Sequence, residues 1–191
     1  MSISGTAQYE NRTDLPPLVA RAVEAARRAG FETSCVPAQG RLLQVLAGGA
    51  MRIGETGTGY AVGLAWMASG APPGARLFSI DRSTAPELDD PRVEIRRGDW
   101  RELKAEAPFD LLVLDGGGQG KGDEPPLDPA EWLRPGGVVV IDDITPMTSW
   151  PPRHDGRPDE ARLYWLEHPR LRTAEIRITP DAATLVGTYI G

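Results

Sequence analysis

Arg52-Ile53-Gly54-Glu55-Thr56-Gly57-Thr58-Gly59-Tyr60-Ala61 is a short strand-like run that collapses into a glycine turn and opens a helix-like run. A strand, a tight turn and a helix N-terminus together present bare backbone N–H groups to a ligand. Glu55, two residues before Gly57, narrows the reading. A carboxylate repels pyrophosphate, so a cationic or zwitterionic ligand suits this turn better than a dinucleotide phosphate.

Outward from the turn the chain alternates. Strands are expected over Met51 to Glu55, Arg76 to Asp81, Arg92 to Arg96, Asp110 to Asp115 and Gly137 to Asp142, with helices over Tyr60 to Ala68 and around Pro129 to Leu133. The apolar runs are continuous, as in strands covered on both faces, which indicates a parallel sheet between helical layers. The connection Arg82 to Pro91 is too short for a full crossover helix and is expected as a stunted helix or a bare loop. The tail breaks the rhythm: Glu175 to Ile178 and Thr184 to Tyr189 are both strand-like and stand so close that only an antiparallel hairpin can join them. A helix from Asp159 to Glu167 precedes them, and Pro151 to Pro158 reads as a surface loop. Before the turn, Leu18, Val19, Ala22, Val23 and Ala26 repeat at helical spacing with Gly30 as the stop, and a second helix covers Gln39 to Leu46. The whole reads as one α/β domain over 1–191, a doubly wound Rossmann-like sheet (49–191) with N-terminal helices (1–48).

With 191 residues, 40% hydrophobic and 25% charged, the chain can bury a substantial core. The formal charge of -6 leaves no basic surplus to displace counterions, so a nucleic acid is not expected as a partner. The single cysteine, Cys35, allows no intramolecular disulfide and no multi-thiolate metal site, and reads as a buried apolar residue in a reducing cytoplasm. No apolar run has signal-peptide or membrane-spanning character.

In open parallel sheets ligands bind beyond the carboxyl ends of the strands. Glu55, Asp81, Asp99, Asp115 and the pair Asp142-Asp143 all fall there. Asp81 lies 22 residues after Gly59, a spacing at which an acid accepts bonds from ribose hydroxyls, and Asp99 is suited to an adenine amino group; either also reads as a turn or helix-capping acid.

These motifs, Glu55-Thr56-Gly57-Thr58-Gly59, Phe78-Ser79-Ile80-Asp81, Gly98-Asp99-Trp100, Phe109 to Asp115 and Leu133-Arg134-Pro135-Gly136-Gly137, resemble in order those of class I S-adenosylmethionine-dependent methyltransferases, and among them small bacterial O-methyltransferases of catechol type. The resemblance covers residues 38–190. It implies a seven-stranded mixed sheet whose last strand runs antiparallel. It also implies Glu55, Gly57, Thr58, Gly59 and Tyr60 around the methionine part of S-adenosylmethionine, Asp81 with Arg82 at the ribose, and Gly98, Asp99 and Trp100 near adenine. The acceptor is expected to be a small molecule methylated on oxygen, and a homodimer follows by analogy. Two other readings stay open: a nicotinamide oxidoreductase, which lacks a third glycine at Val62, and a non-enzymatic binder of the same cofactor.

A hydroxyl acceptor must lose a proton to a base or to a metal. Asp115 and Lys121 are the candidate catalytic residues. Asp115, Asp142 and Asp143 resemble the metal triad of the catechol-type enzymes and suit magnesium or calcium. Gly118 stands where that subfamily has a lysine, and the pair is Asp-Asp in place of Asp-Asn. The run Gly116 to Gly122 is read as a lid or close-approach loop, or else as a disordered surface loop. Tyr60, Trp100, Trp150 and Trp165 are candidate walls of a flat acceptor pocket, with core packing the competing reading, strongest for Trp165; His154 is a further candidate base or a solvated loop residue.

Overall fold

The computed structural model describes residues 4–84 and 86–191. Seven strands form one sheet: β1 Arg52–Thr56, β2 Arg76–Asp81, β3 Val93–Arg97, β4 Phe109–Leu114, β5 Leu133–Ile144, β6 Leu171–Arg177 and β7 Ala183–Tyr189. Their order is β3-β2-β1-β4-β5-β7-β6. The first five are parallel to one another, while β7 runs antiparallel between β5 and β6. The seven-stranded mixed sheet with an antiparallel last strand is thus present as expected. Strand order reverses between β1 and β4, which places the turn after β1 at the crevice where such sheets bind ligands.

Every residue of β4 is buried, as its unbroken Phe-Asp-Leu-Leu-Val-Leu run requires. The one polar member, Asp110, is neutralised: its Oδ2 accepts from the backbone N–H groups of Met51 and Arg52, and its Oδ1 lies 2.6 Å from Arg134 Nε. Helices α1 Pro17–Arg28, α2 Pro37–Ala47, α3 Val62–Gly70, α4 Pro129–Trp132 and α5 Glu160–Glu167 cover the sheet. α3 is apolar all round because α1 and α2 pack over the side that the sheet does not cover. Its Trp66 is fully buried and donates to Tyr9 Oη at 3.0 Å, and Tyr9 donates to the Cys35 carbonyl at 2.9 Å. That chain of bonds ties the N-terminal segment to α3 and to the loop before α2.

Several boundaries differ from expectation for identifiable reasons. α3 begins at Val62, not Tyr60, because Ala61 takes the left-handed conformation at φ 60° and ends the glycine turn. β5 starts four residues early, where Leu133 pairs with Phe109 across a register shift, and β6 starts at Leu171 as a half-exposed edge strand. A 3₁₀ helix at Trp100–Glu106, unforeseen, is held by a capping box in which Asp99 accepts from the backbone of Arg101 and Glu102 accepts from the Asp99 N–H. Between Asp81 and Val93 the described residues form no helix, and the proline-rich loop holds a two-residue ladder, Arg153–His154 on Arg157–Pro158. Among the described residues no helix is long and apolar enough to cross a membrane.

Candidate functional site

Glu55, next to last in β1, stands opposite Ser79 of β2. It is 4% exposed, its Oε2 accepts from Ser79 Oγ at 2.6 Å, and Ser79 Oγ shares a 2.6 Å bond with Thr58 Oγ1. Burial pushes the Glu55 carboxyl up to about 8, the Ser79 bond opposes the rise, and the neighbouring Asp115 adds to it. Burial thus favours the protonated form of this acid. Gly63 gives it room, since a Cβ there would stand 3.0 Å from Glu55 Oε1.

The turn is held on both flanks. Gly57, at φ 89°, donates to the Ile80 carbonyl, and a Cβ on it would lie 2.6 Å from the backbone nitrogen of Gly116. The loops after β1 and β4 thus touch backbone to backbone, with Thr56 Oγ1 donating to the Gly117 carbonyl at 3.0 Å. On the other flank Asp81 Oδ2 accepts from Gly59 N–H at 3.0 Å, while Oδ1 accepts from the backbone of Ser83 and Thr84. The carboxylate that was expected to meet a ribose also organises the turn. Asp99 bridges Arg82 and Arg101, and the Arg101 backbone N–H, then these guanidinium groups, hold its carboxyl below the ordinary 3.8.

Two cavities open at this edge. The smaller, about 30 Å³, is lined by Glu55, Gly57, Thr58, Gly59 and Tyr60, with Phe31 tilted over Tyr60 at 5.0 Å. The larger, about 1410 Å³, lies beyond the ends of β4 and β5 under the loops carrying Lys121 and His154. Cys35, Asp115 and Asp142 line both, so they form the partition between them. Burial, and then Asp142, push Asp115 up to about 8, with Lys121 pulling the other way; Asp142 is raised as well, first by burial. The Cys35 thiol is raised by burial, next to Asp142 and Asp115, which leaves it an inert apolar group.

Lys121 reaches the partition from the glycine loop. Its Nζ donates to the carbonyls of Asp142 and Asp143 at 3.0 and 2.5 Å and lies 3.8 Å from Asp143 Oδ2. Its stem is exposed, yet desolvation of the ammonium lowers its pKa, while Asp115 and Asp142 oppose that. The loop is pinned, not free: Gln119 Nε2 donates to the carbonyls of Leu114 and Asp142, and the Gln119 carbonyl accepts from Trp165 Nε1 at 2.8 Å. These bonds, with Gly116 lying against Gly57, hold the loop in place at the end of β1.

Three expectations are corrected. The acids Asp115, Asp142 and Asp143 do not assemble a metal site, and among the described residues no group of three or more His, Cys, Asp or Glu does. A bulge between Ile141 and Ile144 puts Asp143 at φ 62° and turns it outward to an exposed position, where Lys121 meets it. The remaining pair, both raised by burial, offers too few oxygens for a hard cation. Trp100 is not a cofactor or acceptor wall: it is 7% exposed, packs on Trp132 at 5.6 Å, donates to Glu124 and supports Gly117 and Gly118 from below. Trp150 stands 62% exposed and lines neither cavity, whereas Trp165 is buried in the core and also lines the larger cavity.

Asp81, Arg82, Gly98 and Asp99 lie at the same sheet edge but line neither cavity. His154 is exposed, 3.8 Å from Asp155, at the rim of the larger one. The residues missed were Phe31, Gln119 and Gln39. Only Gln39 left a signal: with Leu43 and Ala47 it shares the buried face of α2, where an amide is out of place.

No family model matches the chain, and no curated protein matches it. Solved structures do. An O-methyltransferase from Bacillus cereus, in complex with SAH, superposes with a TM-score of 0.69 at 20% identity, covering 97% of this chain and 96% of its own. TomG from Streptomyces achromogenes, an O-methyltransferase involved in tomaymycin synthesis and solved with SAM, gives 0.68 at 20% over 98% and 96%. A methyltransferase from Geobacter sulfurreducens gives 0.66 at 17% over 98% and 95%. Over nearly its whole length, therefore, the chain has the Rossmann-like seven-stranded fold of solved methyltransferases.

Proposed function

We propose that the chain is an S-adenosylmethionine-dependent methyltransferase that acts on an oxygen of a small molecule. The observation that carries this reading is the partition of Asp115 and Asp142 between a small cavity at the glycine turn and a large one beyond it. A donor held on one side and an acceptor on the other would meet across it. The solved structures crystallised with SAH or SAM support the same reading, since they share the fold.

The chemistry of the turn fits this cofactor. Glu55, buried beside Thr58 and the glycines, suits an amino group, while a pyrophosphate would face its carboxyl; that disfavours the nicotinamide reading. Glu55, Gly57, Thr58, Gly59 and Tyr60 would surround the methionine end. Asp81 keeps unused lone pairs for ribose hydroxyls, with Arg82, Gly98 and Asp99 toward the adenine. When bound, the sulfonium supplies a methyl carbon open to in-line displacement, the electrons of the broken S–C bond passing to sulfur. The enzyme's task is alignment and proton removal. Asp115, with a pKa of about 8, is matched to accept the acceptor's hydroxyl proton near neutrality. Lys121 favours the ionised form of Asp115 and places positive charge beside the oxygen as it loses its proton.

Calorimetric titration with S-adenosylmethionine and SAH tests this. Wild-type protein is expected to bind both, and Asp81→Ala to bind them more weakly. No binding by the wild type at millimolar concentration would sink the reading.

A further inference from the structure

Gln39 is 2% exposed, yet neither its Nε2 nor its Oε1 has a hydrogen-bond partner, and Asp115 Oδ1 is likewise buried and unpaired. Both residues line the larger cavity. The amide lies near enough to the Asp142 carboxyl to favour its ionised form, but makes no bond of full geometry with it. Leaving a buried donor and acceptor unmade is costly, and an apolar side chain of the same shape would avoid that cost. Gln39 occupies a position on the α2 stripe where Leu43 and Ala47 show that apolar residues fit. Two orphaned polar side chains lining one cavity call for a ligand that satisfies them. Acidic residues outnumber basic ones around this cavity, which disfavours an anionic ligand.

We propose that Gln39 positions the methyl acceptor, and that this acceptor is an uncharged small molecule carrying a hydroxyl beside a second hydrogen-bonding group. The hydroxyl faces Asp115, and the neighbouring group meets the Gln39 amide, which can both donate and accept. The inference rests on the methyltransferase reading. It adds the residue that selects the acceptor and the acceptor's charge class. Through Gln39, α2 contributes one wall of the acceptor site.

The test uses the full chain, SAH, and two probes that differ in charge: salicylamide, which is neutral, and salicylate, which is an anion. Calorimetry on SAH-saturated wild type at pH 6.5 is expected to show salicylamide binding at least ten times tighter than salicylate. Gln39→Met, which keeps the shape and removes the polar atoms, is expected to weaken salicylamide at least tenfold and to leave SAH affinity within twofold. It should also raise Tm by about 3 °C, because the unmade bonds are gone. A Gln39→Met protein of lower Tm, salicylamide affinity unchanged in that variant, or no salicylamide binding to the wild type overturns the inference. Absence of SAH binding in the wild type instead removes the methyltransferase reading and the inference with it, so the two failures are told apart.

Discussion

Glu55→Gln isolates the buried acid of the glycine turn. The folded protein holds this carboxyl at about 8 against an ordinary 4.5, and burial is the main cause. A raised acid favours folding in its protonated form, so its contribution is complete below pH 4.5 and is lost as pH rises through 8. Gln keeps an oxygen for the Ser79 hydroxyl but cannot ionise. Linkage then makes the variant gain on the wild type by roughly 3 kcal/mol between pH 5 and pH 8, or about 6–12 °C in Tm for a chain of this size. Thermal unfolding of both proteins without ligand, followed by circular dichroism at half-unit steps of pH, reads the divergence directly. Parallel curves would show that Glu55 is ionised in the folded protein and would refute the argument. With a cationic ligand bound the ordering reverses: the wild type gains stability with pH while the variant gains none, because only the carboxylate can pair with the ligand.

Asp115→Asn removes the proposed proton acceptor and should lower kcat by about 10²- to 10⁴-fold, while the wild-type rate climbs to a plateau above pH 8; a rate already flat from pH 6 would exclude Asp115 as the base. Gly57→Ala drives a methyl into the Gly116 backbone at a residue of positive φ and should cost about 3 kcal/mol in urea unfolding, against no loss if the two loops are free of each other. Trp100→Ala should cost about 3–5 kcal/mol of stability, and a variant of normal stability with weakened SAH binding would restore the tryptophan as a cofactor wall.

The fold was legible because its signals are local and redundant. Continuous apolar runs such as Phe109–Leu114 mark two-sided burial, and the few residues between β6 and β7 permit only a hairpin. The carboxylates at the strand ends were legible for the same reason, since strand direction alone delivers them to one edge. What they do there was less so. Asp142 and Asp143 are adjacent in sequence, and only the bulge at Ile144 decides that one faces the cavity partition and the other faces out. Trp100 carried an aromatic's two readings, and the capping box of Asp99 and Glu102, visible in hindsight as an acid three residues before a glutamate, turns it into the core. Gln119 acts through distant chain segments, so no local pattern announces it, whereas Gln39 left only the trace of an amide on the buried face of α2.

The central claim is that the glycine turn and its buried acid hold a sulfonium cofactor. Calorimetry of wild type and Glu55→Gln with S-adenosylmethionine, in two buffers of different ionisation enthalpy at pH 7, tests it most directly. The account predicts wild-type binding that releases a proton from Glu55 and binding at least tenfold weaker, without that release, in the variant. Equal affinity in the two proteins, with no proton released by either, would contradict it.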